Sequence, residues 1–98
     1  MTRKISFQDI AKDELDQTTD YYCAIRLALG EQFLDEIDHA IRTLSESPHI
    51  GRVVLGEVRS WRLRMFPYSI YYRLDDEHLR VLAIGHQRRR AQYWKGRH

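Results

Sequence analysis

The sequence is poor in residues that cross-link or anchor a chain. It has one cysteine, Cys23, and two prolines among 98 residues. A lone thiol excludes an intrachain disulfide and a four-cysteine zinc site. No apolar run approaches the ~18 residues of a membrane span, and stretches such as Tyr21–Ile25 end quickly. Met1-Thr2-Arg3-Lys4-Ile5 has neither an apolar signal core nor a small-residue cleavage site. These absences lead to an expectation of a cytoplasmic protein with no membrane partner. The sequence has no glycine-rich phosphate loop, no nucleophile elbow and no zinc motif. His39, His49, His78 and His98 hold no metal-ligand spacing with one another or with Cys23. No metal and no cofactor are therefore expected. Repeats, low-complexity segments and linkers are absent too, so residues 1–98 read as a single domain.

What is present suits one modest core. Hydrophobic residues make up 43% and charged residues 31%, which argues against disorder. A chain this short buries roughly 60–70% of the surface its unfolded form exposes. The net charge of +2 conceals a division. Residues 1–50 hold five basic and ten acidic residues; residues 51–98 hold eleven basic and four acidic. Nearly all the second-half cations are arginine, with Lys95 the one lysine. Arginine suits bidentate contact with phosphate or carboxylate, so this half is expected to meet a polyanion or an acidic partner.

Hydrophobic spacing gives the order of elements. Residues 3–7 alternate as a short strand. From about Asp9, the residues Ala11, Leu15, Thr18, Tyr22, Ile25 and Leu29 share one helical face. Ser6 is a candidate N-cap, and Gly30 a candidate break between two helices. Phe33, Leu34, Ile37, Ala40, Ile41 and Leu44 then mark a second amphipathic helix through about Ser45. So short a joint predicts an antiparallel hairpin. After the turn Ser47-Pro48-His49-Ile50-Gly51 the period falls to two. Trp61, Leu63 and Met65 alternate with polar residues, as do Tyr68, Ile70, Tyr72 and Leu74, and Leu79–Ile84 reads as a buried strand. The fold class is α+β: an N-terminal strand, a helical hairpin packed on a mainly antiparallel sheet, and a short basic C-terminal segment.

Register singles out candidate binding residues. If Trp61, Leu63, Ile70 and Tyr72 face the helices, then Arg62, Arg64, Tyr71 and Arg73 share the other face. Arginines so clustered need carboxylate partners or an anionic ligand. Pairing of Arg73 with Asp75, Asp76, Glu77 or Glu57 is the structural alternative. The segment His86-Gln87-Arg88-Arg89-Arg90-Ala91-Gln92-Tyr93-Trp94 interleaves arginines with aromatics, a pattern that holds phosphate and stacks bases. Arg89 and Tyr93 share a face if the segment is helical. Trp94 reads first as a hydrophobic anchor on the sheet edge, and His86 as a strand-end histidine or a general base.

Several stretches together resemble the RelE/ParE toxin superfamily of bacterial type II toxin–antitoxin modules. They are Gly30-Glu31-Gln32-Phe33-Leu34 through Pro48 and Gly51, then Arg64 with Tyr68-Ser69-Ile70-Tyr71-Tyr72-Arg73, and finally His86-Gln87-Arg88-Arg89 with Tyr93-Trp94. The resemblance spans nearly the whole chain and implies the same fold. It also implies a small cognate antitoxin whose disordered tail folds around the toxin, and a toxin–antitoxin oligomer. The basic second half gives acidic antitoxin groups a place to bind, with a salt-sensitive affinity.

Two branches imply different functions. RelE-like members cleave mRNA on the ribosome, and the resemblance places Arg62, Arg89 and Tyr93 on catalytic positions. Ser69 stands where those nucleases carry an arginine, and Ser60 replaces a lysine. Loss of one such donor costs on the order of 2–4 kcal/mol of transition-state stabilisation. ParE-like members bind and poison DNA gyrase without chemistry of their own, and the His-x-Arg-Arg ending resembles theirs, except that Ala91 replaces a common proline. The ParE-like branch is the favoured expectation. Its binding surface would draw on Arg62, Arg64, Tyr71, Arg73, His86, Arg88, Arg89, Arg90, Tyr93 and Trp94. A nuclease or an inactive homologue are the alternatives.

Overall fold

The computed structural model describes residues 4–97; Arg3, at the start of the expected first strand, and His98 lie outside them. The elements run β1 (Lys4–Phe7), α1 (Asp9–Ile25), α2 (Leu27–Glu46), β2 (Arg52–Leu55), β3 (Val58–Arg62), β4 (Tyr68–Asp75) and β5 (His78–His86). One sheet holds all five strands in the order β1-β5-β4-β3-β2. β1 pairs parallel to β5; every other pairing is antiparallel. The α+β architecture matches the expectation from spacing, with one strand more. β2 lacks alternation, and its strand character comes from pairing with β3.

Two helix boundaries differ from those the sequence predicts. The N-cap of α1 is Gln8, in extended conformation and with no side-chain cap bond. Ser6 instead remains in β1, with its hydroxyl 2.6 Å from His78 Nε2. Asp9 in the first turn still complements the helix dipole. The break between helices falls at Arg26, which is extended at φ −164°. Gly30 lies inside α2 and is buried. A Cβ there would sit 2.1 Å from Cys23 Sγ. The glycine thus lets the two helices approach closely rather than ending one.

The core lies between the hairpin and one face of the sheet. Phe33, Ile37, Ala40, Ile41 and Leu44 of α2 meet Ile70, Tyr72, Leu79, Val81 and Ile84. Tyr22, Phe33, Phe66 and Tyr68 form an aromatic cluster, with Tyr22 and Phe66 centroids 4.9 Å apart and Phe33 and Phe66 5.2 Å apart. Such edge-on contacts add about 1 kcal/mol each beyond area burial. Tyr72 is fully buried, donates to the Pro48 carbonyl at 2.7 Å and accepts from the Gly51 amide at 3.1 Å. This explains the Pro48–Gly51 turn: one tyrosine hydroxyl fastens it to the sheet. Arg59 adds bonds to the His49 and Gly51 carbonyls.

Candidate functional site

β3 stops at Arg62, short of the alternation that continues to Met65. The cause is Glu36 of α2, whose carboxylate accepts from the amides of Arg64 and Met65. The Leu63 amide donates to the Tyr68 carbonyl and closes the turn. Arg64 therefore lines a cleft between α2 and the β3–β4 turn, beside Glu36, His39 and Met65. It does not share the far face of the sheet with Arg62, which corrects the expected grouping. Arg73 is also set apart. Its guanidinium lies 3.0 Å from both Glu57 and Asp75, the carboxylate pairing considered as the structural alternative.

Arg62 opens onto a groove of about 530 Å³ on the sheet face opposite the hairpin. Three strands build it by register. Arg52 stands opposite Ser60, Ser60 opposite Tyr71, and Arg62 opposite Ser69. Gln87 closes one side. Among the described residues no carboxylate lines the groove. Among the described residues neither Arg52 nor Arg62 has an ion pair.

The C-terminal segment is a chain of i→i+3 turns rather than a helix, with backbone bonds Arg89 to His86, Tyr93 to Arg90, Lys95 to Gln92 and Arg97 to Trp94. Gln92 and Gly96 take positive φ, 60° and 93°, which prevents a continuous helix. Trp94 is 3% exposed and lies on Tyr71, ring centroids 5.3 Å apart. It anchors the segment and is not a surface for a partner. Tyr93 rests on Gly85, where a Cβ would stand 2.3 Å from its hydroxyl. Arg89 covers the Tyr93 ring at 4.1 Å and Arg97 approaches it at 5.0 Å. The Tyr93 hydroxyl is buried. Burial, then the nearby Glu14 carboxylate, push its pKa well above the usual tyrosine range, and Arg97 and Arg89 offset only part of this.

Glu14 and Arg97 carry no motif and escape sequence reasoning. Their ion pair, 2.8 Å from Nη1 to Oε1, is mostly buried and joins α1 to the C-terminal segment. Glu14 also accepts from the Ile84 amide, and Arg97 donates to the Leu82 carbonyl. Together they cover the edge of β5 beyond its pairing with β1. His86 accepts from the Arg88 amide at Nδ1, 3.0 Å away, and packs edge-on against Tyr68. That bond leaves the proton of the neutral ring on Nε2, where it donates rather than accepts. Arg88 and Arg90 are exposed on the turns after β5.

Burial raises the pKa of Tyr22 and Tyr72 as well as Tyr93. As pH passes about 10, the unfolded chain releases these phenolic protons and the folded chain retains them. Stability is then expected to fall with rising pH beyond that value. The tyrosinate absorbance of Tyr22, Tyr72 and Tyr93 should appear only together with loss of near-ultraviolet circular dichroism; ionisation of all tyrosines in the folded state would contradict this.

The arrangement defines a basic surface module built around one sheet. Among the described residues no group of three His, Cys, Asp or Glu side chains could hold a metal ion, and no helix is long and apolar enough to cross a membrane. The family model of the ParE toxin of the type II toxin–antitoxin system, parDE, matches residues 5–91, and the chain belongs to that family. A chain of the chromosomal ParDE toxin–antitoxin system from P. aeruginosa has the same fold, with TM-score 0.70 and 20% identity over 87% of this chain and 96% of that one. The toxin–antitoxin complex RelBE2 from Mycobacterium tuberculosis gives 0.62 and 18% over 88% and 99%. A mutant of the E. coli toxin RelE in the free state gives 0.62 and 18% over 90% and 86%. No curated protein matches the chain in sequence.

Proposed function

We propose that this toxin acts by binding DNA gyrase, without chemistry of its own, and is neutralised by a cognate antitoxin in an oligomeric complex. One observation carries the reading: the three residues a nuclease would use do not converge on one cavity. Arg62 lines the groove, whereas Arg89 and Tyr93 are stacked on each other beside it, Tyr93 meeting the groove's Tyr71 edge-on at 6.3 Å. The buried Tyr93 hydroxyl, held protonated by its surroundings, offers neither a base nor an accessible acid to a ribose 2′-hydroxyl. Ser60 and Ser69 flank Arg62 where further cations would be needed to bear phosphate charge. The exposed Arg88, Arg89 and Arg90 remain as target contacts.

Controlled expression in a bacterial host tests this. The expected result is growth arrest with an early DNA-damage response while protein synthesis continues. Tyr93→Phe is expected to leave toxicity intact, since only a buried hydroxyl is lost. A nuclease using that hydroxyl as general acid would lose about 100-fold or more. Early translation arrest with cut mRNA, abolished by Tyr93→Phe, would replace this reading with ribosome-dependent cleavage. Absence of any growth defect would identify an inactive homologue.

A further inference from the structure

The groove beside Arg62 continues past the sheet onto the C-terminal turns. Gln87 forms one wall, fixed there by its backbone amide, which donates to the Pro67 carbonyl at 2.8 Å. The exposed Arg88, Arg89 and Arg90 follow directly. Tyr71, inside the groove, meets Tyr93 edge-on, and Arg89 lies over the Tyr93 ring at 4.1 Å. Arg52, Arg62 and these three arginines have no ion pair among the described residues, whereas Arg73, Arg80 and Arg97 each face a carboxylate. Two strand spacings separate Arg52 on β2 from Tyr71 on β4, so the basic band spans up to about 20 Å. An array of like charges with no internal counter-charge calls for a polyanion.

We propose that this band binds the phosphate backbone of duplex DNA, so that the toxin meets gyrase on its DNA. This deepens the proposed function and rests on it for the place where the duplex is met. The neutral donors among the arginines fit phosphodiester oxygens. Ser60 stands between Arg52 and Tyr71 across the strands, Ser69 stands opposite Arg62, and Gln87 adds its side-chain amide. Short side chains at 60 and 69 leave room for a phosphate between the longer arginines. Such donors hold a phosphodiester but lack the further cations that a cleavage transition state needs, so contact without cutting is expected. Stacking is closed off, which favours a duplex over a single strand. Trp94 covers Tyr71, and Arg89 and Arg97 cover Tyr93, so neither ring offers a face to a base. A guanidinium stacked by its face keeps its N–H edge for a phosphate, so Arg89 shields the ring and stays available. The arginines spread over β2, β3 and the turns after β5, a breadth that suits the two phosphate rows of a duplex better than one extended acidic chain. A duplex offers one charge per about 1.7 Å, on the order of a dozen phosphates along the band.

The test titrates the full chain into a fluorescein-labelled duplex of about 20 base pairs, followed by anisotropy between ~50 and ~200 mM salt. Micromolar binding is expected at the low end, with log K falling against log salt at a slope of roughly −4. Arg52→Gln with Arg62→Gln should weaken binding about tenfold and reduce the slope by about 2, with the circular-dichroism spectrum unchanged. Arg64→Gln, in the separate cleft beside Glu36, should leave the affinity nearly unchanged. No binding, a slope near zero, or equal binding by the double variant overturns the proposal. An Arg64→Gln loss as large as that of the double variant also overturns it, since diffuse charge would then suffice. So does an oligothymidylate that binds more tightly than the duplex, which would assign the face to single strands. A polyglutamate peptide that binds more tightly and loses affinity in the double variant would assign it to an acidic polypeptide instead. Expression in cells separates this from the toxin reading. A chain that is toxic with a DNA-damage response but ignores the duplex refutes only the DNA contact, and a duplex-binding chain without toxicity refutes only the toxin assignment.

Discussion

Replacing Glu14 with alanine is expected to cost about 3 kcal/mol and to free the C-terminal segment, because the change strands a mostly buried guanidinium. The Glu14 and Arg97 side chains are 13% and 14% exposed, and their contacts are bidentate, 2.8 Å and 3.3 Å. Glu14 also satisfies the Ile84 amide at 3.1 Å, at the stretch of β5 that β1 leaves uncovered. Loss of the carboxylate removes all three bonds. Tyr93 and Trp94 shortly precede Arg97 in the same segment, so their packing on Gly85 and Tyr71 weakens too. For a domain of this length the penalty corresponds to a fall of roughly 15 °C in Tm. Denaturant melts of Glu14→Ala, Arg97→Ala and the double variant would measure it. The double variant should be less destabilised than the sum of the singles, since it removes both charges; strict additivity would mean the pair is not coupled. Hydrogen exchange at the Ile84 amide should accelerate in Glu14→Ala.

The second large effect is expected at Gly51. An alanine there would place its Cβ 2.2 Å from the Tyr72 hydroxyl and 2.8 Å from its ring. Tyr72 is fully buried in the sheet and cannot swing aside. Its hydroxyl would lose the Pro48 carbonyl and the Gly51 amide together. Overpacking plus two broken buried bonds is expected to cost about 3 kcal/mol or more. Tyr72→Phe alone should cost about 1–2 kcal/mol, from the two bonds. The clash is mainly with the hydroxyl, so Gly51→Ala should be milder in the Tyr72→Phe background. Urea titrations of the two single variants and the double decide it, and equal penalties in both backgrounds would sink the account.

These two sites differ in how far they could be read from sequence. Pro48 and Gly51 stand out as a turn by composition, and Tyr72 falls on the core face by alternation. Their union across the fold does not follow from either pattern. Glu14 is less legible still. It sits in an acidic run with Asp9, Asp13 and Asp16, and nothing local distinguishes the carboxylate that meets Arg97 from those in solvent. Arg64 misleads in the opposite direction: alternation carries it onto the far sheet face, and Glu36, 28 residues earlier, holds its backbone in a turn instead. Gly30 misleads because a glycine can end a helix or admit a neighbour, and only the position of Cys23 decides.

The sequence by itself determined the helical hairpin, most of the buried face of each helix, the β4–β5 hairpin and the family, but not β2, and Ile25 and Leu34, assigned to those faces, are exposed. The features it determined rest on local periodicity or on motifs that keep their spacing along the chain. It also determined that positive charge gathers in the second half. Only the tertiary structure decided which of those charges remain available. Arg73 is taken by Glu57 and Asp75 and Arg97 by Glu14, whereas Arg52 and Arg62 face an open groove and Arg88, Arg89 and Arg90 stay exposed. The physical reason is distance along the chain. An ion pair or a ring contact forms between whatever groups the fold brings within a few ångströms, and for Arg97 that group is 83 residues away.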